Sequence, residues 1–200
     1  METPQPAISD IPTTPQKQEG NAWRNFAGIL LDLAETVLLS IVLFLGINAV
    51  TARVLVEGQS MRPTLDNGEY ILVNKMAFRS TLPDYGDIVV FHFPISPDQD
   101  FIKRVVALPG DKVNIQDGQV RVNDHLLEEP YIAAEPRYAG TWQVPDEEIF
   151  VLGDNRNNSS DSHSWGAVPM DNVIGKAIFV YWPPPAWKTL EHVQIMATQP

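Results

Sequence analysis

The chain has 200 residues, enough for one well-packed domain or a domain with a small insert. Its formal net charge of −11 argues against binding a nucleic-acid backbone, which needs clustered Lys and Arg. It contains no cysteine, which excludes disulfides, a thiol nucleophile and thiolate metal sites.

Residues 1–28 open with Pro4, Pro6, Pro12 and Pro15 among Gln, Thr and Ser. Such composition cannot drive collapse and reads as a disordered tail. Residues 29–51 are expected to form one transmembrane anchor. As a helix, Leu30 to Val50 is about 21 residues and about 30 Å long, the thickness of a bilayer core. Asp32 and Glu35 lie near its start and suit the interface, while Thr36 to Ala49 is apolar on every face. A clean centre of about 14 residues also fits a buried core helix. Val50-Thr51-Ala52 offers small residues at which a signal peptide would be cut, but the long mixed-charge region ahead is unlike a short basic leader. Lys17 and Arg24 before the run balance Arg53 and Arg62 after it, so charge sets no firm orientation.

Residues 52–200 change texture. Short β-like runs recur at Tyr70–Val73, Ile88–Phe93, Phe101–Val106, Val113–Ile115, Gln119–Val122, Ile149–Leu152 and Ala177–Trp182. Turn signals such as Asp66-Asn67-Gly68 and Asp117-Gly118 separate them. The pattern predicts a mainly β domain of antiparallel sheets, a sandwich or barrel-like fold. Residues 123–147 are looser, with Pro130, Pro136, Gly140 and Pro145, and read as a small insert or long loop.

Three segments could carry chemistry. Glu57-Gly58-Gln59-Ser60-Met61-Arg62-Pro63-Thr64-Leu65 holds a serine between a permissive Gly and a rigid Pro, a way to present a hydroxyl. Serine is a poor nucleophile without a base. His92, His125, His163 and His192 stand in no obvious triad context. Lys103, in Phe101-Ile102-Lys103-Arg104-Val105-Val106, is the other option if burial lowers its pKa. As a strand, this run puts Lys103 on one face and Arg104 on the other, and alternation alone does not say which is buried. The third segment, Gly153 to Gly166, is dense in polar residues. Asp154, Asn155 and Asp161 can hold such a loop rigid through hydrogen bonds to nearby backbone. Its acids lack the spacing of a calcium loop.

Taken together, the three segments resemble those of type I signal peptidases, membrane-anchored serine proteases. Gly58-Gln59-Ser60-Met61-Arg62-Pro63-Thr64 resembles the family's nucleophile box and Tyr85-Gly86-Asp87-Ile88-Val89 a structural box. Lys103 to Asp111 resembles the general-base box. Gly153-Asp154-Asn155-Arg156 through Asp161-Ser162-His163 and Trp165-Gly166 resembles the last box. The resemblance implies a Ser/Lys dyad, with Ser60 as nucleophile and Lys103 as base. It implies that Ser159 orients the lysine and that Asp161 supports the site. Many members have Ser where this chain has Gly58, so a backbone N–H there, with that of Ser60, would stabilise the oxyanion. His163 stands where the common pattern has Arg, as in cyanobacterial and thylakoid members.

The resemblance implies removal of signal peptides from preproteins after small residues, at Ala-x-Ala-like sites, with no metal or organic cofactor. The partners expected are preproteins and the lipid bilayer, not nucleic acid, and the oligomeric state is left open. The catalytic domain would lie on the extracytoplasmic side of a plasma or thylakoid membrane. Two rivals are an inactive tethered β domain that binds peptides and a Ser/Lys autoprotease regulator. The latter would need a DNA-binding segment where this chain has its tail and apolar run.

Overall fold

The computed structural model describes residues 20–190 and Val193. The proline-rich part of the expected tail, 1–19, lies outside the described residues. Helix α1 spans Gly20–Val50 and so begins before residue 29, within the stretch expected to be disordered. Beyond Pro15 nothing breaks a helix, and Ala22, Arg24 and Ala27 favour one. Trp23–Val50 contains an 18-residue stretch with a mean hydropathy of 2.2 and is exposed, long and apolar enough to cross a bilayer. Thr36 Oγ1 donates to the Asp32 carbonyl at 2.8 Å and Ser40 Oγ to that of Thr36 at 2.7 Å. Their hydroxyls are thus satisfied on the helix itself, as an apolar solvent requires.

Residues 46–200 form a unit of their own. Its strands are β1 (Thr51–Leu55), β2 (Tyr70–Asn74), β3 (Ile88–His92), β4 (Asp100–Ala107), β5 (Lys112–Gln116), β6 (Gln119–Val122), β7 (His125–Leu126), β8 (Gly140–Gln143), β9 (Glu148–Leu152), β10 (Val168–Pro169), β11 (Val173–Trp182) and β12 (Lys188–Thr189). A short α-helix, α2 (Ser162–Trp165), follows β9, and 3-10 turns lie at Met170–Asn172 and Pro184–Ala186. Every strand pairing is antiparallel. The larger sheet has the order β1-β2-β11-β3-β4-β9-β10, with β12 beside β11, and the smaller runs β7-β6-β5-β8. The chain therefore has the expected mainly β architecture of antiparallel sheets after one N-terminal apolar helix.

The smaller sheet is more than the loose insert expected at 123–147. It begins at Lys112, and its central hairpin, β5–β6, turns through Asp117-Gly118. Tertiary pairing of β8 with β5 organises residues whose Pro and Gly content reads locally as loop.

The core has three parts. One gathers Val106, Val113, Ile115, Val120, Val122, Phe150 and Leu152 under the smaller sheet. The other two cover opposite faces of the larger sheet. Val89, Phe91, Val105 and Val151 form one, while Ile71, Val73, Val90 and Ile102 form the other with Met61 and Leu65 of the serine turn. Because β3 and β4 are covered on both faces, their sequences read as continuous rather than alternating apolar runs.

Candidate active site

The turn carrying Ser60 follows β1. Met61 and Leu65 are fully buried, so the turn is anchored by its apolar side chains and leaves Ser60 half-buried. Gly58 has φ +91°, a conformation open chiefly to glycine. Its N–H donates to Asn67 Oδ1 at 2.7 Å. That donor, expected to serve an oxyanion, is thus already engaged, and the Ser60 N–H has no acceptor among the described residues.

Lys103 comes from the middle of β4, where Val89 of β3 is its register partner. It is 4% exposed. Its Nζ donates to Ser60 Oγ at 2.8 Å and to the Ile102 carbonyl at 3.0 Å, and lies 5.1 Å from the centre of the Phe101 ring. Burial brings the Lys103 pKa down from 10.5 to about 8, against the opposing pull of Asp161 and then Asp154. Residues 43 positions apart in sequence are therefore in direct hydrogen-bond contact.

Arg104 points to the other face of β4 and is buried too, at 1% exposure. It grips Asp154 with two parallel bonds, Nε to Oδ1 at 2.8 Å and Nη2 to Oδ2 at 2.7 Å. Nη1 donates to the Gly86 carbonyl at 2.8 Å, and the guanidinium lies 4.0 Å from the Tyr131 ring centre. Thr64, from the serine turn, donates to the same carboxylate at 2.5 Å. One carboxylate thus ties together the serine turn, β4 and the loop after β9.

That loop also touches the turn directly. Asn155 N–H donates to the Ser60 carbonyl at 2.9 Å and Asn155 Nδ2 to the Gln59 carbonyl at 3.1 Å. Gly153 leaves the room: a Cβ there would run into Ser159 Oγ and the Ser60 carbonyl. Ser159 Oγ, expected to orient the lysine, is buried and has no hydrogen-bond partner among the described residues. Asp161 is fully buried. Its Oδ2 accepts the Gly153 N–H at 2.9 Å, and its Oδ1 faces His163 Nδ1 at 2.5 Å. Arg156 is buried behind, paired with Glu129 of the smaller-sheet region.

A cleft of about 630 Å³ opens onto Ser60 and Lys103. Val54 and Leu55 of β1 line one side, and Phe101 and Ile102 of β4 the other, with Glu57, Asp98, Asp100 and Ser160 also on its wall. β1 ends the sheet, and β9 pairs β4 only from Arg104 onwards. The edge at residues 100–103 is therefore unpaired on that side. His92, another candidate base in the sequence, instead lies 2.8 Å from Asp100, with both side chains about half exposed. His192 lies outside the described residues.

Sequence reasoning brought out Ser60, Lys103, Gly58, Ser159 and Asp161, and the fold collects all five around one turn and one loop. It missed Thr64, Arg104 and Asn67. Thr64 and Arg104 stand inside the quoted segments, but their shared partner Asp154 is 90 and 50 residues away; Asn67, nine residues from Gly58, was read only as part of a turn.

Comparison with known proteins gives one consistent result. The family described as "Signal peptidase, peptidase S26" matches residues 30–182. Signal peptidase I of Leptolyngbya laminosa is 40% identical over 185 residues, covering 88% of this chain and 91% of the relative. Probable signal peptidase I-2 of Synechocystis is 41% identical over 163 residues, covering 78% of this chain and 74% of the relative. Thylakoidal processing peptidase 1 of Arabidopsis thaliana is 41% identical over 136 residues, which are 62% of this chain but 40% of that protein.

Two stability results follow from the geometry. Asp154→Ala leaves Arg104 buried without its carboxylate and is expected to destabilise the protein by about 3–5 kcal/mol. Thermal or denaturant unfolding measures it. Lys103 binds its proton more weakly folded than unfolded, so between about pH 8 and 10.5 its burial penalty fades as pH rises. At pH 7 the penalty is fully present. Lys103→Met should therefore be more stable than wild type at pH 7, by roughly 2–3 kcal/mol, with the gap closing towards pH 10.5. A variant less stable at pH 7 would contradict the buried-cation account.

Proposed function

The chain belongs to the peptidase S26 family of signal peptidases, and we propose that it is a membrane-anchored serine endopeptidase that cuts signal peptides from preproteins with a Ser60/Lys103 dyad. The observation that carries this reading is the 2.8 Å contact between Lys103 Nζ and Ser60 Oγ, made by a buried lysine. Neutral Lys103 takes the proton as Ser60 Oγ attacks the scissile carbonyl, then gives it to the leaving amine. The resulting acyl-enzyme is hydrolysed by water, with Lys103 again as base.

The Ser60 N–H is the donor available to the tetrahedral oxyanion. Asn155 supports this by holding the carbonyls of Gln59 and Ser60. Such preorganised donors are worth about 3 kcal/mol each. Asp161 supports the dyad by its charge near Lys103.

The substrate lies extended in the cleft between β1 and the unpaired start of β4, adding a strand through backbone hydrogen bonds. The shallow walls made by Val54, Leu55, Phe101 and Ile102 favour small side chains before the cut. Residues 29–51, which α1 covers as far as Val50, anchor the enzyme in the bilayer that holds its substrates, raising their effective concentration. Residues 52–200 form the catalytic domain on the extracytoplasmic side.

Cleavage of a preprotein with an Ala-x-Ala site, in detergent or lipid, tests the dyad. Ser60→Ala and Lys103→Ala should each lose about 10³-fold or more in kcat/KM while folding normally. An active Lys103→Ala protein would sink the assignment of the base. The base must be neutral to act, so kcat/KM should rise with pH along an acid limb centred near the Lys103 pKa of about 8. A limb centred below about pH 6 would point to a different group.

A further inference from the structure

Two buried acids bear on Lys103, Asp161 more strongly than Asp154. They are compensated in different ways. Asp154 is held by two bonds from Arg104, whose charge is fixed at any working pH. Among the described residues, the one basic side chain in bonding contact with Asp161 is His163. Histidine is the side chain whose charge ordinarily changes near neutrality.

The His163 ring is placed, not loose. Nδ1 lies 2.5 Å from Asp161 Oδ1, and the ring stacks on Tyr138 with centres 3.9 Å apart and planes 12° from parallel. Its side chain is 20% exposed, so protons reach it from solvent. Its N–H also lies over the same carboxylate, at 3.3 Å, where Asp161 caps α2. The charged and titratable groups around the pair are Lys103 from β4, Asp154 and Arg156 from the loop after β9, Tyr138, and Glu129 behind Arg156. Of these groups and His163, only His163 has its side chain in bonding contact with the Asp161 carboxylate.

We propose that His163 is a positioning residue whose charge state sets the pH range in which Lys103 accepts a proton, acting through Asp161. With a neutral imidazole, the full Asp161 charge favours the lysine's proton. With an imidazolium, the pair is neutral overall and the lysine releases its proton more readily. Acidification thus weakens the hold on the Lys103 proton and extends the working range downwards. Its catalytic consequence rests on reading Lys103 as the general base.

The test compares His163→Arg, a fixed cation, with His163→Gln, which never carries charge, in the full chain in detergent. Two readouts are taken: the Lys103 titration followed by NMR without substrate, and the acid limb of kcat/KM. The Arg variant should titrate lower than the Gln variant by about 0.5 to 1 pH unit. On the acid limb this is roughly a three- to tenfold difference in kcat/KM at one pH. Wild type should follow the Gln variant at high pH and move towards the Arg variant as pH falls. If Arg does not fit against Tyr138, His163→Lys supplies the fixed cation. Coincident Lys103 titrations in folded Arg (or Lys) and Gln variants would overturn the proposal. If the titrations separate but the activity limbs do not, the coupling stands and Lys103 is not the base.

Discussion

The site depends on one buried carboxylate. Asp154 is fully enclosed and receives two bonds from Arg104 and one from Thr64. Burying such a pair is not an efficient way to stabilise a fold, because desolvation offsets much of the attraction. What it supplies is geometry. A forked donor accepts a carboxylate in few orientations. Fixing Arg104 fixes the β4 backbone, and Lys103, one residue earlier on the opposite face, is fixed with it. Fixing Thr64 fixes the turn that carries Ser60. The Lys103–Ser60 distance is therefore set largely from the far side of the sheet, by groups that touch neither side chain.

A second constraint acts in the opposite sense on Lys103 itself. Its enclosure among Phe101, Ile102 and the serine turn disfavours the charged form, while Asp161 and Asp154 favour it. The outcome is a compromise near neutrality, which suits the proposed role of a group that takes and returns a proton. The smaller sheet contributes to the same balance. Through Glu129 and Tyr131 it encloses Arg104 and Arg156, and Tyr138 covers His163. It is thus part of the dielectric environment of the dyad as well as an attachment to the fold.

Much of this was legible in the chain. Turn residues and short apolar runs marked the strands, and Ser60 and Lys103 stood out from the segments around them. What was hidden has physical reasons. Alternation along Phe101–Val106 could not choose between Lys103 and Arg104, because both faces of β4 are covered and both side chains are buried. Pairing of β8 with β5 turned an apparent loop into a sheet, an organisation set by contacts far apart in sequence. The start of α1 was placed too late because the proline-rich composition of the tail was carried over to 20–28, which contains no proline. The engagement of Gly58 by Asn67, and the unbonded Ser159 hydroxyl, depend on atomic positions that residue spacing does not encode.

On the proposed mode of binding, the unpaired edge at residues 100–103 has a consequence for the information a substrate must carry. An edge strand offers N–H and C=O groups, and every residue except proline can answer both. Recognition through such groups is indifferent to side-chain identity along most of the bound stretch. What it selects is a conformation: a segment able to extend, free of helix and free of ill-placed proline. Only positions whose side chains turn into the walls are read by size. A site built this way can serve many unrelated chains without a shared sequence, and its errors would arise wherever an ordinary protein presents a small-residue segment in extended form.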